Sequence, residues 1–260
     1  MPDIDSGYLK QQSAWISWNK ALTRGNTMTT AIFDFDGTIV DSREAIVGIM
    51  QQMSQEFRFR EVSRQEMLEL RELPVRQRLR RLGIRSWQIP RLAKRSLELF
   101  SDHMTSFPIY EGIREMLSEL HHANIETQIL SSNNIENIKR CLEANQLNHF
   151  SHIYSARGLF SKHRMLKRIL RSHRIHPANA VYIGDELRDI EAARRAGMSS
   201  VAVSWGYDSP DLLQSGAPDL VANEPCEILQ FIRENCSAYS EGPAAEFTSL
   251  RAADRDIAPK

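Results

Sequence analysis

Beyond Pro108 the chain alternates strand-like and helix-like segments, and this alternation constrains the fold more than any other feature. Apolar runs at 125–130, 152–155, 180–184 and 199–204 are separated by stretches of helical period at 111–122, 134–147, 161–173 and 187–196. Consecutive strand-helix-strand units are right-handed and lay their strands parallel, with helices on both faces of the sheet. Ligands in such sheets sit beyond the carboxyl ends of the strands, where strand order reverses. Chemically active residues are therefore expected at the strand ends.

The expected class is α/β, a Rossmann-like doubly wound parallel sheet. Its first strand is the apolar run Ala31-Ile32-Phe33, upstream of the alternating region. From about residue 43 to residue 107 the period is helical throughout, with Ile46, Val47, Met50 and Met53 forming one stripe and Leu79, Leu82, Leu92, Leu97, Leu99 and Phe100 contributing to others. Pro74 and Pro90 divide this stretch into separate helices. The sequence thus predicts a core built from 28–42 and 108–236 and a helical subdomain, 43–107, inserted after the first strand. Residues 1–27 precede Met28, a natural start, and are assigned no role. The region 237–260, rich in Ala, Ser, Glu, Asp and Pro and without periodicity, is expected to be disordered.

Bulk chemistry excludes several classes. With 33 basic and 33 acidic residues the net charge is zero, so nothing draws the chain globally to nucleic acid or membrane. No window approaches the ~20 apolar residues of a membrane-spanning helix. Residues 1–27 lack the apolar segment of a secretory signal. Cys141, Cys226 and Cys236 have no metal-type spacing and read as free thiols in a reducing, cytoplasmic compartment.

Four strand ends carry polar clusters. The first strand runs into Asp34-Phe35-Asp36-Gly37-Thr38. Alternation points both aspartates at one space while Phe33 and Phe35 turn into the core. Carboxylates held that close repel each other unless a cation or a shared proton intervenes, which implies metal binding, acid/base work or both. An ordinary solvated Asp-Gly turn is the bland alternative. The strand at 125–130 is followed by Ser131-Ser132-Asn133-Asn134, which can cap a helix or bind an anion at its N-terminus. Lys162 opens a helix, where the macrodipole disfavours a cation unless a phosphate or buried carboxylate sits beside it. The strand at 180–184 ends in Gly184-Asp185-Glu186, with Asp189 one turn later. Asp185 and Asp189 can face one point, although acids also simply favour helix N-termini.

Together, in this order, the four clusters resemble the haloacid dehalogenase superfamily over about residues 30–235, in the branch of phosphoglycolate phosphatases with a helical cap between the first and second motifs. The chain departs from the pattern in carrying His163 where proline usually follows the lysine. The resemblance implies a Mg²⁺-dependent phosphatase that hydrolyses a small phosphate monoester through an aspartyl-phosphate. Asp34 would be the nucleophile and Asp36 the acid and base. Ser132 and Lys162 would hold phosphate oxygens, with Thr38 and Asn133 also at the substrate. Asp34, the main-chain carbonyl of Asp36, Asp185 and Asp189 would serve the metal. Among cap arginines 71, 76, 78, 80, 81 and 85, mostly a solvated face, Arg71 and Arg76 are the candidates to meet an anionic substrate. Two alternatives remain open, a sugar phosphomutase on the same scaffold and an inactive binding or regulatory protein. The implied partner is a small phosphorylated metabolite, with no nucleic acid and no membrane.

Overall fold

The computed structural model describes residues 28–235, apart from 157, 159 and 160. The leader at 1–27 and the tail at 237–260 lie outside the described residues. Six parallel strands form one sheet: β1 Thr30–Phe33, β2 Glu126–Ser131, β3 His152–Ser155, β4 Ala180–Gly184, β5 Ser199–Val203 and β6 Leu220–Ala222. Their spatial order is β3-β2-β1-β4-β5-β6. Order reverses between β1 and β4, and register sets Phe33 opposite Ile183 there, so the residues after each strand emerge side by side.

Strand alternation sorts the apolar side chains into two faces. Phe33, Ile129, Val181, Ile183 and Val201 join one cluster with helices α5 Ile113–His122, α6 Ile135–Ala144 and α10 Pro225–Glu234. Ile32, Leu130 and Tyr182 join a second with α7 Lys162–Ser172 and α8 Leu187–Ala196. The expected doubly wound sheet is the observed one.

Between β1 and β2 lie α1 Arg43–Phe57, α2 Arg64–Leu70, α3 Val75–Arg81 and α4 Ile89–Ser101. Pro74 caps α3, and Pro90 stands in the first turn of α4, where its missing N–H costs nothing. The α1 stripe needs correction: Ile49 is buried and Ile46, Met50 and Met53 pack with it, whereas Val47 is not part of the cluster. Steps of three and four residues keep one helical face, and a step of one turns 100° away from it. The apolar cluster of the sheet continues into this insertion through Ile49, Met53, Leu82, Leu92 and Leu99.

Several boundaries shift for local reasons. The helix expected from 111 begins at Ile113, because Gly112 takes a left-handed φ of +80°. The one expected to reach 147 ends at Ala144, after which Gln146 adopts φ +53°. Helix α9 Pro210–Ser215, strand β6 and helix α10 were not expected from the sequence at all. Cys141 is a buried free thiol, as expected, and Cys236 lies outside the described residues.

Leu117 on α5 is fully buried against the sheet. Leu117→Ala should destabilise the fold by about 2–5 kcal/mol, the cost of lost burial plus the cavity left behind. Urea unfolding of the two proteins measures it.

Candidate active site

The carboxyl ends of β1, β2 and β4 and the start of α7 meet at the point of strand reversal. β1 stops at Phe33, and the chain folds into a tight turn in which the Phe35 carbonyl accepts from the N–H groups of Ile39 (2.9 Å) and Val40 (3.2 Å). Phe33 and Phe35 are both fully buried, as alternation requires. Asp34 is buried too. Its Oδ1 accepts from Phe35 N–H at 2.8 Å and its Oδ2 from the Lys162 ammonium at 2.5 Å.

Lys162 is the first residue of α7 and only 3 % exposed. Its Nζ also donates to Asp189 Oδ1 at 2.6 Å. Burial alone would lower its pKa, but the carboxylates of Asp189 and Asp34 hold it well above the usual lysine value. Buried carboxylates thus offset the macrodipole mismatch seen in the sequence. Asp189 is the third residue of α8, where its Oδ2 accepts from Glu186 N–H at 3.2 Å in a capping box.

Asp185 leaves β4 and is completely buried. Thr38 Oγ1 donates to its Oδ1 at 3.0 Å, and Tyr207 N–H to its Oδ2 at 2.8 Å. Glycines make the close approach of backbone possible. A Cβ at Gly37, where φ is +79°, would lie 2.2 Å from Asp185 Oδ2, and one at Gly206 would lie 2.2 Å from Asp185 Cβ.

One ligand oxygen each from Asp34, Asp185 and Asp189 lies within 4.8 Å of the others. Burial, together with repulsion from Glu186, Asp34 and Asp189, pushes the Asp185 carboxyl well above its normal range. When all three carboxylates are ionised, the one ammonium leaves two negative charges in a desolvated space. That deficit is the charge of one divalent cation, and an all-oxygen donor set suits a hard ion. The carboxylate of Asp36 is not in this group.

Asp36 points the other way. Its Oδ2 accepts from Asn133 Nδ2 at 3.0 Å, while its Oδ1 is sealed from solvent without a hydrogen-bond partner. Burial raises this carboxyl to about 7 despite the bond from Asn133. Ser132 Oγ is a second buried polar atom with no partner. Asn133 is itself fixed, its Oδ1 accepting from Asn134 N–H (2.9 Å) and Asn137 Nδ2 (3.1 Å).

The structure therefore brings together Asp34, Asp36, Ser132, Asn133, Lys162, Asp185 and Asp189. Three expected substrate contacts are placed differently. Thr38 is fully buried with its hydroxyl committed to Asp185, so it positions that aspartate. Asn133 orients Asp36. Arg71 reaches the core, but its Nε donates to the Tyr207 carbonyl (2.9 Å) and its Nη2 to that of Gly206 (3.1 Å), because the 205–209 loop presents main-chain acceptors there. Arg76 is exposed on α3.

The sequence gives no expectation for that loop, and Arg78, expected on a solvated face with the other cap arginines, is instead the residue that holds it. Trp205 Nε1 donates to the Thr38 carbonyl at 3.1 Å, and Asp208 Oδ2 accepts from Leu187 N–H at 2.7 Å. Arg78 of α3 forms an ion pair with Asp208 in which the two side chains are 16 % and 3 % exposed. Its Nε donates to the Leu73 carbonyl at 2.7 Å. Ser209 N–H donates to the Arg71 carbonyl at 3.0 Å. An aromatic-Gly-aromatic-Asp run directly after a buried strand was the available signal.

Arg78→Met should cost about 3 kcal/mol, because it leaves Asp208 buried without its partner. Adding Asp208→Asn should recover part of that loss, and denaturant unfolding of the four proteins in a double-mutant cycle measures the coupling.

Comparison with known proteins agrees with this geometry. Residues 31–203 match the haloacid dehalogenase-like hydrolase family. A phosphoglycolate phosphatase of Synechococcus elongatus is 33% identical over 208 residues, covering 80% of this chain and 98% of that protein. The pyrophosphatase PpaX of Listeria welshimeri is 24% identical, with 80% of this chain and 97% of that protein covered. A solved structure of a haloacid dehalogenase-like family hydrolase from Streptococcus pneumoniae superposes with a TM-score of 0.67 at 21% identity, covering 78% of this chain and 98% of that one, a likeness of fold. The chain belongs to the haloacid dehalogenase-like hydrolase family, as a phosphatase.

Proposed function

We propose that this phosphatase hydrolyses a small phosphate monoester through an aspartyl-phosphate on Asp34, with Mg²⁺ as its metal. One observation carries the reading: Asp36 Oδ1 and Ser132 Oγ, the two buried side-chain oxygens left without partners around this cleft, stand beside an aspartate already paired with a buried lysine. Those two orphans are what an incoming phosphoryl group and its leaving oxygen would satisfy.

Asp34, the main-chain carbonyl of Asp36 and Asp185 would hold the ion, with Asp189 anchoring Lys162. When bound, Mg²⁺ supplies charge neutralisation for the phosphoryl oxygens and the attacking carboxylate. A carboxylate oxygen of Asp34 attacks phosphorus and the ester oxygen leaves. Asn133 donates to Asp36 Oδ2, so the proton of Asp36 resides on Oδ1 and passes to the departing alkoxide. The ionised Asp36 then takes a proton from the water that attacks phosphorus, which releases phosphate and restores Asp34. The Lys162 ammonium and Ser132 hydroxyl donate to non-bridging phosphate oxygens. Hydrolysis of such esters without catalyst is slow enough that the site must supply on the order of 20 kcal/mol, which positioning and charge neutralisation provide.

Helices α1–α4 act as a cap over this cleft and limit the substrate to one small enough to be enclosed. The named activities of the relatives, on phosphoglycolate and on pyrophosphate, mark out small anionic phosphates as the range to screen. A phosphomutase on the same residues would turn over a sugar phosphate without releasing inorganic phosphate, so product analysis separates the two.

Asp34→Asn should abolish phosphate release from an aryl phosphate, and comparable turnover in that variant would remove Asp34 from its role. Asp36→Asn should lower turnover by about 10²–10⁴-fold with metal binding retained. Since the acid works only while protonated, kcat/KM should fall as pH rises through about 7, and Asp36→Asn should lose that limb. Chelation by EDTA should stop turnover and added Mg²⁺ should restore it.

A further inference from the structure

At the other end of the sheet a second group of ligating side chains is gathered. Glu126 opens β2, His152 opens β3, and His173 caps the C-terminus of α7. One donor atom from each of the three lies within 4.8 Å of the other two. The two imidazole centroids are 4.5 Å apart, with planes at 71°, and His152 Nδ1 is 3.5 Å from Glu126 Oε1. Six residues of β2 separate Glu126 from Ser132, about 20 Å at the strand rise, so the group is distinct from the aspartate cleft.

The partners of these side chains are those of a supported ligand set. Glu126 Oε1 accepts from Gln128 Nε2 at 2.9 Å and Ser151 Oγ at 2.8 Å, which fixes the carboxylate. Tyr154 OH lies 2.5 Å from His173 Nε2 and holds that ring in place. The Tyr154 ring stacks on His152 at 5.9 Å with planes within 7°. An outer partner on the second imidazole nitrogen is what orients a metal-bound histidine.

We propose that Glu126, His152 and His173 bind a divalent transition ion of the zinc class. Two imidazoles and one carboxylate suit zinc, while the hard ions Mg²⁺ and Ca²⁺ favour all-oxygen sites. Donor atoms on one tetrahedral zinc stand about 3.3 Å apart, so the side chains draw inward on binding. His152 is exposed and Glu126 and His173 are half-buried, which leaves room for that movement and a fourth position open to water. The ion would clasp β2, edge strand β3 and the far end of α7, the helix whose first residue is Lys162.

The test uses the full chain freed of metal and then held in millimolar Mg²⁺, which occupies the all-oxygen cleft. Zinc is titrated against a chromophoric chelator and followed by thermal unfolding. The wild-type chain should take up one zinc more than His152→Gln or His173→Gln. Its Tm should rise by about 5–10 °C with free zinc a hundredfold above Kd, a rise absent in both variants. Phosphatase activity with Mg²⁺ alone should be unchanged in His152→Gln, the exposed member, which also shows that this variant folds. Equal zinc uptake by wild type and both variants, or no zinc-dependent rise in Tm, would overturn the assignment. Neither result depends on the reaction at Asp34.

Discussion

The rest of the site depends on a buried ammonium. Lys162 sits at 3 % exposure between Asp34 and Asp189, with Asp185 alongside. Removing any of these charges from water is costly, and only mutual pairing at short range offsets it. A single cation cannot neutralise three carboxylates. Burial and mutual repulsion therefore push the Asp185 carboxyl well above its ordinary range and that of Asp189 up to about 7, and a divalent ion is what would let all three aspartates ionise together.

The loop at 205–209 connects this charge centre to the helical insertion. Tyr207 N–H fixes one oxygen of Asp185, and Trp205 binds the carbonyl of Thr38, whose hydroxyl fixes the other. From the opposite side Arg71 and Arg78 of the insertion grip the carbonyls of Gly206 and Tyr207 and the side chain of Asp208. A movement of α2 and α3 that carried these arginines away would release the loop that shapes Asp185. The insertion and Asp185 thus share one hydrogen-bonded strut, built mostly from main-chain groups.

Much of this was legible in the sequence because the informative signals are local. A strand ending in Asp34-x-Asp36-Gly37 and a lysine opening a helix carry their electrostatic problem in a few adjacent residues. So do Gly184 and Asp185. The doubly wound sheet followed from alternation alone. What escaped was set by pairing over long separations. Arg78 and Asp208 are 130 residues apart, and nothing near either predicts the other. Arg71 was read as a substrate ligand because carbonyl acceptors leave no trace in sequence. Thr38 looked like a phosphate ligand for the same reason, its partner Asp185 being 147 residues away. Strand β6 is three residues long, too short for a period, whereas α10 carried a legible signal in Pro225 and the helical spacing of Ile228, Leu229 and Ile232.

The site is preorganised by glycine as much as by charge. Gly37, Gly184 and Gly206 press against Asp185 and Asp189 so closely that no Cβ fits. Each carboxylate oxygen of these two aspartates also accepts one hydrogen bond, from Thr38, Tyr207, Glu186 or Lys162, which leaves lone pairs for an ion. Against that background the unpartnered atoms stand out. Asp36 Oδ1 and Ser132 Oγ lack partners where nearly every neighbouring oxygen has one. Fixed carboxylates are useful for a cation, which gains from geometry that does not have to be assembled, while unsatisfied donors and acceptors are useful only to a reacting group that changes its charge. The division between anchored and unpartnered oxygens therefore separates the part of the cleft suited to an ion from the part that keeps unmet hydrogen-bonding capacity.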